Sequence, residues 1–218
     1  MNDFKAALID LDGLLIGSEE IFLEANRIYF KQFGLNNFTE EMHRGAIGKK
    51  TVVEMQGNKD RGIITTDLTP GELMEGRDAV FRQIAGEKLE LTVGALEFLK
   101  KIHSKHKTAL VTSSLDDYVG FVFDLFDISK FFDVIVTGDM VKQGKPYPDP
   151  YLLASQKLNV LPENCVVFED APSGVLSGKA AGIRVVAVPN RFVKGDKVFE
   201  KADEVFESLV EAEKWLEK

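Results

Sequence analysis

Asp10-Leu11-Asp12-Gly13 follows directly on the apolar run Lys5-Ala6-Ala7-Leu8-Ile9. A run of that length and composition predicts a buried strand. Side chains at i and i+2 of an extended backbone point the same way, so Asp10 and Asp12 are expected to converge on one ligand. Two like charges that close are costly unless a cation or a shared proton relieves them. Mg²⁺, which takes one or two carboxylates together with substrate phosphate oxygens, meets that need. Gly13 lets the backbone turn tightly behind the pair. The simpler alternative is a strand that ends in turn-forming Asp and Gly.

Three further groups fall in the same kind of place. Ala109-Leu110-Val111 runs into Thr112-Ser113-Ser114. Hydroxyls and free amides there would cradle a phosphate at a helix N-terminus, or they simply cap the helix that begins near Leu115. Gly144-Lys145-Pro146, with Pro148 and Pro150 close behind, fixes a lysine that can pin an anion; otherwise Lys145 is one more solvated charge. Phe168-Glu169-Asp170 closes another apolar run. These acids supply oxygen ligands for Mg²⁺, or they complement the dipole of the following helix. A carboxylate pair, hydroxyl and amide donors, a lysine and a second acidic pair form the inventory for phosphoryl transfer through an aspartyl phosphate. Two Walker-like stretches fail. Gly138 to Gly144-Lys145 has one residue too many and continues with Pro, and Gly48-Lys49-Lys50-Thr51 lacks the upstream glycine.

The elements that must position these groups alternate along the chain. Strands are expected at 5–9, 107–112, 133–137, 165–168 and 184–188, separated by amphipathic helices. That is the pattern of an α/β fold with a doubly wound parallel sheet, in which ligands gather at the carboxyl ends of the strands. The interval between the first two strands is far too long for one crossover and reads as an inserted helical domain, 16–87, joined to an α/β core of 1–15 and 88–218 by linkers near Gly17 and Glu87. Within it, Ser18 is expected to cap a helix with Ile21, Phe22, Ala25, Ile28 and Tyr29 on one face, stopped near Gly34. Thr39 would cap a short turn, 50–58 is weakly helical, and Thr69-Pro70-Gly71-Glu72 carries a helix start signal. A helix over 95–104 reopens the core.

Composition narrows the class. The 218 residues are 44% hydrophobic and 28% charged, enough apolar material for a packed core. A net charge of −8 argues against nucleic-acid or anionic-membrane binding, which need a broad basic face. Cys165 is the only cysteine and sits in an apolar stretch, so it is expected to pack as an inert hydrophobe in a chain without intrachain disulfides. No apolar run reaches membrane-spanning length, and the first strand begins too early to leave room for a signal peptide. The expectation is a cytoplasmic protein, a monomer by default, acting on a small phosphorylated metabolite.

Asp10-Leu11-Asp12-Gly13, Thr112-Ser113-Ser114, Lys145-Pro146 and Glu169-Asp170 resemble the four ordered motifs of the haloacid-dehalogenase superfamily. The helical insertion is similar to the cap of the branch that holds β-phosphoglucomutase and small sugar-phosphate phosphatases. Gly144-Lys145-Pro146-Tyr147-Pro148-Asp149 and Phe168-Glu169-Asp170-Ala171-Pro172-Ser173-Gly174-Val175 look typical of that branch. The resemblance implies that Asp10 is the nucleophile and Asp12 the general acid and base. It implies that Asp10, the Asp12 backbone carbonyl and Asp170 hold Mg²⁺, with Glu169 in direct or supporting contact. Thr112 and the Ser113 amide would bind phosphoryl oxygens, and Lys145 would balance phosphate and Asp10. Lys49 lies near the cap position that grips a second anionic group of the substrate; Lys50 and Arg77 could share that duty, or all three form a solvated face.

Two departures from the pattern are visible. Gly17 stands where the family often has Asp, which suggests a looser hinge. Phe22, ten residues after Asp12, stands where the mutase has a cap histidine. His43, His103 and His106 lie elsewhere and are expected to be surface or helix-packed imidazoles. The reading is a Mg²⁺-dependent phosphatase of sugar or nucleoside phosphates. Its rivals are a phosphosugar mutase, a receiver-type signalling module and an inert binding relative. The receiver is disfavoured by the helical insertion and by Asp12-Gly13, the inert relative by the intact motif set.

Overall fold

A computed structural model describes residues 4–217; residues 1–3 and 218, which fall within the expected core range, lie outside the description. In chain order the elements are β1 (Ala6–Ile9), α1 (Ser18–Phe30), α2 (Glu40–Arg44), α3 (Thr51–Asp60), α4 (Pro70–Lys88), α5 (Ala95–His103), β2 (Lys107–Val111), α6 (Asp116–Phe126), β3 (Val134–Val136), α7 (Asp149–Leu158), β4 (Cys165–Glu169), α8 (Pro172–Ala180), β5 (Arg184–Ala187), β6 (Glu204–Val205) and α9 (Leu209–Trp215). The strands form one sheet in the order β3-β2-β1-β4-β5-β6. Every pairing is parallel.

Strand alternation divides the apolar side chains between two layers. Ala7, Ile9, Leu110, Val166, Phe168 and Val186 pack with Phe98, Leu99 and Ile102 of α5, Val119 and Val122 of α6, and Trp215 of α9. Ala6, Leu8, Ala109, Val111, Val167 and Val185 face Tyr151, Ala154 and Leu158 of α7 and Val175 of α8. Both faces are covered, which is why these strands read as continuous apolar runs. The expected doubly wound sheet is present, and the short edge strand β6 adds a member that its polar sequence did not announce.

The four helices α1 to α4 are inserted between β1 and β2. Thr39 accepts from the Met42 amide as expected, and Thr69 with Glu72 forms a complete capping box at the start of α4. Ser18 does not cap α1: Gly17 occupies that position, and the buried Ser18 Oγ has no hydrogen-bond partner. Ile28 is 52% exposed, so the buried stripe of α1 runs through Ile21, Ala25 and Phe30 instead. Gly34, at φ 81°, ends the short 3₁₀ turn that follows. The two connecting segments lie side by side, with Ile16 bridging Leu91 and the Gly17 amide donating to the Glu90 carbonyl.

Cys165 is buried in β4, and burial raises its thiol to about 11, in keeping with an inert packed residue. Phe98 is fully buried edge-on to Phe168, with ring centroids 5.0 Å apart. Phe98→Ala is expected to cost about 3–5 kcal/mol through lost transfer energy and the cavity left behind, measured as a shift in urea unfolding. A loss below about 1 kcal/mol would contradict this packing.

Candidate active site

All four motif groups arrive at the carboxyl ends of β1, β2 and β4 or in the loop after β3. Asp10 leaves β1 with its amide bonded to the Phe168 carbonyl. Gly13, at φ 80°, turns the chain directly under Asp170; a Cβ there would stand 2.0 Å from Asp170 Oδ2. The glycine is thus required twice, for its backbone conformation and for the close approach.

The chemical centre is a buried ion cluster. Lys145 Nζ donates to Asp10 Oδ1 and to Glu169 Oε1, each at 2.5 Å, and to the Val111 carbonyl at 3.0 Å. Glu169 is fully engaged. Its Oε1 also accepts from the Tyr151 hydroxyl at 2.6 Å, and its Oε2 accepts from the amides of Asp170 and Ala171. Gly174 leaves no room beside it: a Cβ would lie 1.8 Å from the Glu169 carboxyl carbon. Asp170 Oδ2 accepts from Asn190 Nδ2 at 2.6 Å, while Asp170 Oδ1 is buried without a partner.

Burial raises the carboxyls of Asp10 and Asp170 well above the usual range; Lys145 opposes the rise at Asp10, whereas at Asp170 the neighbouring Asp10 and Glu169 add to it. Burial works against the Lys145 ammonium, but Asp10 and Glu169 together outweigh it and raise its pKa. Asp10, Glu169 and Asp170 each offer a carboxylate oxygen within 4.8 Å of the others. An all-oxygen set with one oxygen orphaned fits a hard divalent cation.

Asp12 faces the same cavity from a separate setting. Ser114 Oγ donates to its Oδ2 and the Tyr118 hydroxyl to its Oδ1, both at 2.7 Å. The carboxylates of Asp10 and Asp12 therefore share a cavity, as their spacing implies, but the acidic oxygens grouped with Asp10 come from Glu169 and Asp170 rather than from Asp12. Thr112 Oγ1 lies 3.5 Å from Asp12 Oδ2 and accepts from the Ser114 amide. Ser113 Oγ donates to the Gly48 carbonyl. The hydroxyls do not cap α6, whose N-cap Leu115 makes no side-chain cap bond.

The cavity above the centre is bounded by the core residues Asp10, Asp12, Thr112 and Ser113 and, from the inserted segment, by residues that include His43 of α2 and Lys49 of the connection between α2 and α3. Lys49 lines it but its Nζ bonds to the Gly45 carbonyl. Lys50 reaches across to the Val141 carbonyl. Arg77 Nε pairs with Asp78 at 2.7 Å. Phe22 stacks on Phe81 and Tyr118, at centroid distances of 4.2 and 5.8 Å.

His43 is helix-packed, within the sequence expectation, but at a place that expectation did not name. It is buried in the cavity wall with Nε2 2.9 Å from Glu19 Oε2. His103, at the end of α5, meets Thr108 of β2, and His106, in the turn that follows, stacks on Phe4 and meets its carbonyl; both are half-buried and away from the cavity. Sequence reasoning also missed Tyr118, Tyr151 and Asn190. Asn190 follows the fifth strand, so the same strand-end rule would have found it; Tyr118 lies one helical turn beyond Ser114.

Lys145→Met is expected to destabilise the fold by about 3–5 kcal/mol at neutral pH, because it leaves buried carboxylates uncompensated. A carboxyl whose folded pKa lies above its unfolded value makes the fold more stable as pH falls through the folded value. The deficit should therefore shrink toward acid pH, read from urea unfolding of both forms between pH 5 and 8. A deficit independent of pH would contradict the charge balance.

Residues 7–188 match the family model described as haloacid dehalogenase-like hydrolase. A phosphorylated carbohydrates phosphatase of Thermotoga maritima is 36% identical over 202 residues, covering 90% of each chain. Hexitol phosphatase A of Escherichia coli is 33% identical over 188 residues, covering 84% of this chain and 82% of the relative. The crystal structure of CbbY from Rhodobacter sphaeroides in complex with phosphate is 26% identical, with a TM-score of 0.86 over 95% of this chain and 96% of that one. By sequence match, sheet topology and the ordered motif groups, the chain belongs to the haloacid dehalogenase-like hydrolases.

Proposed function

We infer that this hydrolase is a Mg²⁺-dependent phosphatase of small phosphomonoesters, sugar or nucleoside phosphates, working through an aspartyl phosphate on Asp10. The observation that carries the reading is the Asp10 carboxylate held by Lys145 beside the unpartnered Asp170 Oδ1, in one cavity with Asp12, Thr112 and Ser113. Asp10, the Asp12 backbone carbonyl and Asp170 would hold the cation, with Glu169 fixing Lys145 and the Asp170 backbone. Bound there, Mg²⁺ would offset the charge of phosphate and carboxylates so that an anionic nucleophile can approach an anionic ester.

Each remaining role follows from a side chain's position. Asp10 Oδ2 attacks phosphorus while Oδ1 stays bonded to Lys145. Asp12 gives a proton to the departing alcohol oxygen. It then takes one from the water that releases phosphate and restores Asp10. Thr112 Oγ1 and the Ser113 amide orient phosphoryl oxygens, and Lys145 balances the charge. Residues 16–87 act as a cap over the core formed by 1–15 and 88–218, with Lys49 at the cap's edge of the substrate cavity. No helix among the described residues is long and apolar enough to cross a membrane, and we assign the enzyme to the cytoplasm.

Asp10→Asn should abolish phosphate release from 4-nitrophenyl phosphate while leaving the circular dichroism spectrum unchanged; retained turnover would sink the mechanism. Asp12→Asn should lose about 10²–10⁴-fold, the range typical of general acid–base assistance. Chelation should stop turnover and added Mg²⁺ restore it. Asp170→Asn should raise the Mg²⁺ concentration needed far more than it raises KM.

A further inference from the structure

Asn190-Arg191-Phe192, just after β5, touches both the carboxylate of Asp170 and the inserted helices. The Val188 amide donates to the Glu169 carbonyl at 2.7 Å, which anchors the start of this segment on the end of β4. Asn190 Nδ2 then donates to Asp170 Oδ2 at 2.6 Å. Gly13 makes the room for that bond: a Cβ there would stand 2.0 Å from Asp170 Oδ2 and 3.2 Å from Asn190 Nδ2. Arg191 and Phe192, next in the chain, meet α1 and α2 instead.

The bond from Asn190 ties down one oxygen of Asp170 and leaves the other, the buried and unpartnered Oδ1, for a ligand. Hydrogen bonds of this kind orient the groups that hold a metal, and losing one typically costs about 10–100-fold in metal affinity. Asn190 is itself held. Its Oδ1 accepts from the Phe192 amide at 2.9 Å, and its backbone carbonyl accepts from the amides of Val193 and Lys194. The Phe192 amide can only donate, so it fixes the oxygen of Asn190 on its own side and leaves the nitrogen for Asp170. The direction of the Asn190 amide group therefore depends on where Phe192 sits.

The inserted helices set that place. Phe192 is 3% exposed, and its ring meets that of His43 edge to face with centroids 5.1 Å apart. His43 is equally buried on α2, with Nε2 2.9 Å from Glu19 Oε2 of α1. Phe192 and Val193 share their buried cluster with Phe38 and Ile47, which flank α2. Arg191 pairs with Glu20 and reaches Glu40 at 3.5 Å, but these contacts are exposed and screened by solvent. The buried ring, rather than the surface pair, fixes the segment.

We propose that Asn190 is a positioning residue for a cation at Asp170, and that Phe192 ties its placement to the seat of α1 and α2. Lifting the inserted helices frees Phe192 and with it the Asn190 amide, so cation affinity falls when the helices leave the core. The link is reciprocal: a cation that needs Asp170 held also stabilises the seat of Phe192 on α2. This rests on the reading of Asp170 as a cation ligand, and its tests need no phosphate release.

In the first test, Mn²⁺, an oxygen-preferring stand-in for Mg²⁺, is titrated into the full chain without ester, and the free ion is read by electron paramagnetic resonance. Asn190→Ala is expected to raise the dissociation constant about 10–100-fold. Phe192→Leu keeps the apolar bulk and loses the ring edge, and should raise it about 2–30-fold. Because Phe192 acts through Asn190, adding Phe192→Leu to Asn190→Ala should raise it no further. Arg191→Ala should stay within about twofold of the wild type. Wild-type affinity in Asn190→Ala or in Phe192→Leu overturns the proposal, as does an additive double variant or an Arg191→Ala effect larger than that of Phe192→Leu.

The second test uses the wild type alone, so it stands even where a variant fails to fold. Saturating Mg²⁺ should slow hydrogen exchange of amides in 190–194 and in 40–47. Slowing confined to 190–194, or absent from both, removes the coupling. A wild type that binds Mn²⁺ but hydrolyses no phosphate ester loses the phosphatase reading alone. One that binds no divalent cation loses the cation reading and this inference together.

Discussion

Lys145 is the interaction on which the rest of the molecule turns. Its ammonium sits out of water between Asp10 and Glu169, with Asp170 a few ångströms away. Two unit charges about 5 Å apart repel by roughly 3 kcal/mol at an effective dielectric near 20. Three carboxylates against one lysine therefore leave an excess of negative charge that the fold alone does not cancel. Protonation relieves it in one way, and a divalent cation relieves it in a way that also suits an incoming phosphate. The strain of assembling the cluster is held by rigid neighbours: the amides of Asp170 and Ala171 behind Glu169, the Tyr151 hydroxyl beside it, and the absent Cβ of Gly174.

The same economy of contact joins the inserted helices to the core. The Gly48 carbonyl accepts from Ser113 Oγ and from Ser173 Oγ, at 3.2 and 2.9 Å. One carbonyl of the insertion is thereby held by the loop after β2 and by the first turn of α8. Gly48 sits at φ 75°, and a Cβ there would fall 2.3 Å from Ser173 Oγ, so only glycine permits this approach. Arg191 and Glu20 add an exposed ion pair at another edge, which contributes little by itself. The segments that border the cavity over Asp10 are thus the ones that seat the inserted helices.

The core and the convergence of its motif groups were legible because they depend on local pattern. Apolar runs closed by Asp, Thr-Ser-Ser or Glu-Asp announce strands and their ends, and parallel topology then brings those ends together. What escaped was of two kinds. Ser18 offered a good cap by type, yet Gly17 took the position, since the linker pairing with Glu90 and Leu91 sets where α1 begins. Ile28 fitted a helical period but lay outside the buried stripe, which packing against α4 decides. The place of His43 in the cavity wall escaped because it is tertiary: a five-residue helix carries too little pattern to reveal which way it faces. Gly48 was visible only as a failed phosphate loop, whereas its value lies in the two hydroxyls that meet its carbonyl.

In the proposed mechanism, the setting of Asp12 bears on what would become of a phosphorylated Asp10. Ser114 and Tyr118, which hold its carboxylate, both belong to the core at the start of α6. Tyr118 is itself buried, its ring packed under Phe22 and Phe81 from the inserted helices, and burial beside Asp12 raises its phenol well above the usual value, so it remains a donor. Phe22 can transfer no proton and touches this arrangement only through ring packing. Asp12 is therefore oriented before any alcohol arrives, and nothing at Phe22 ties its orientation to a hydroxyl of the substrate. A mutase must withhold its acyl phosphate from water until a second hydroxyl is in place. In the mechanism proposed above, an acid–base carboxylate fixed by core hydroxyls would have no such delay, so water would be its natural acceptor; the positions of Tyr118 and Ser114 support that reading.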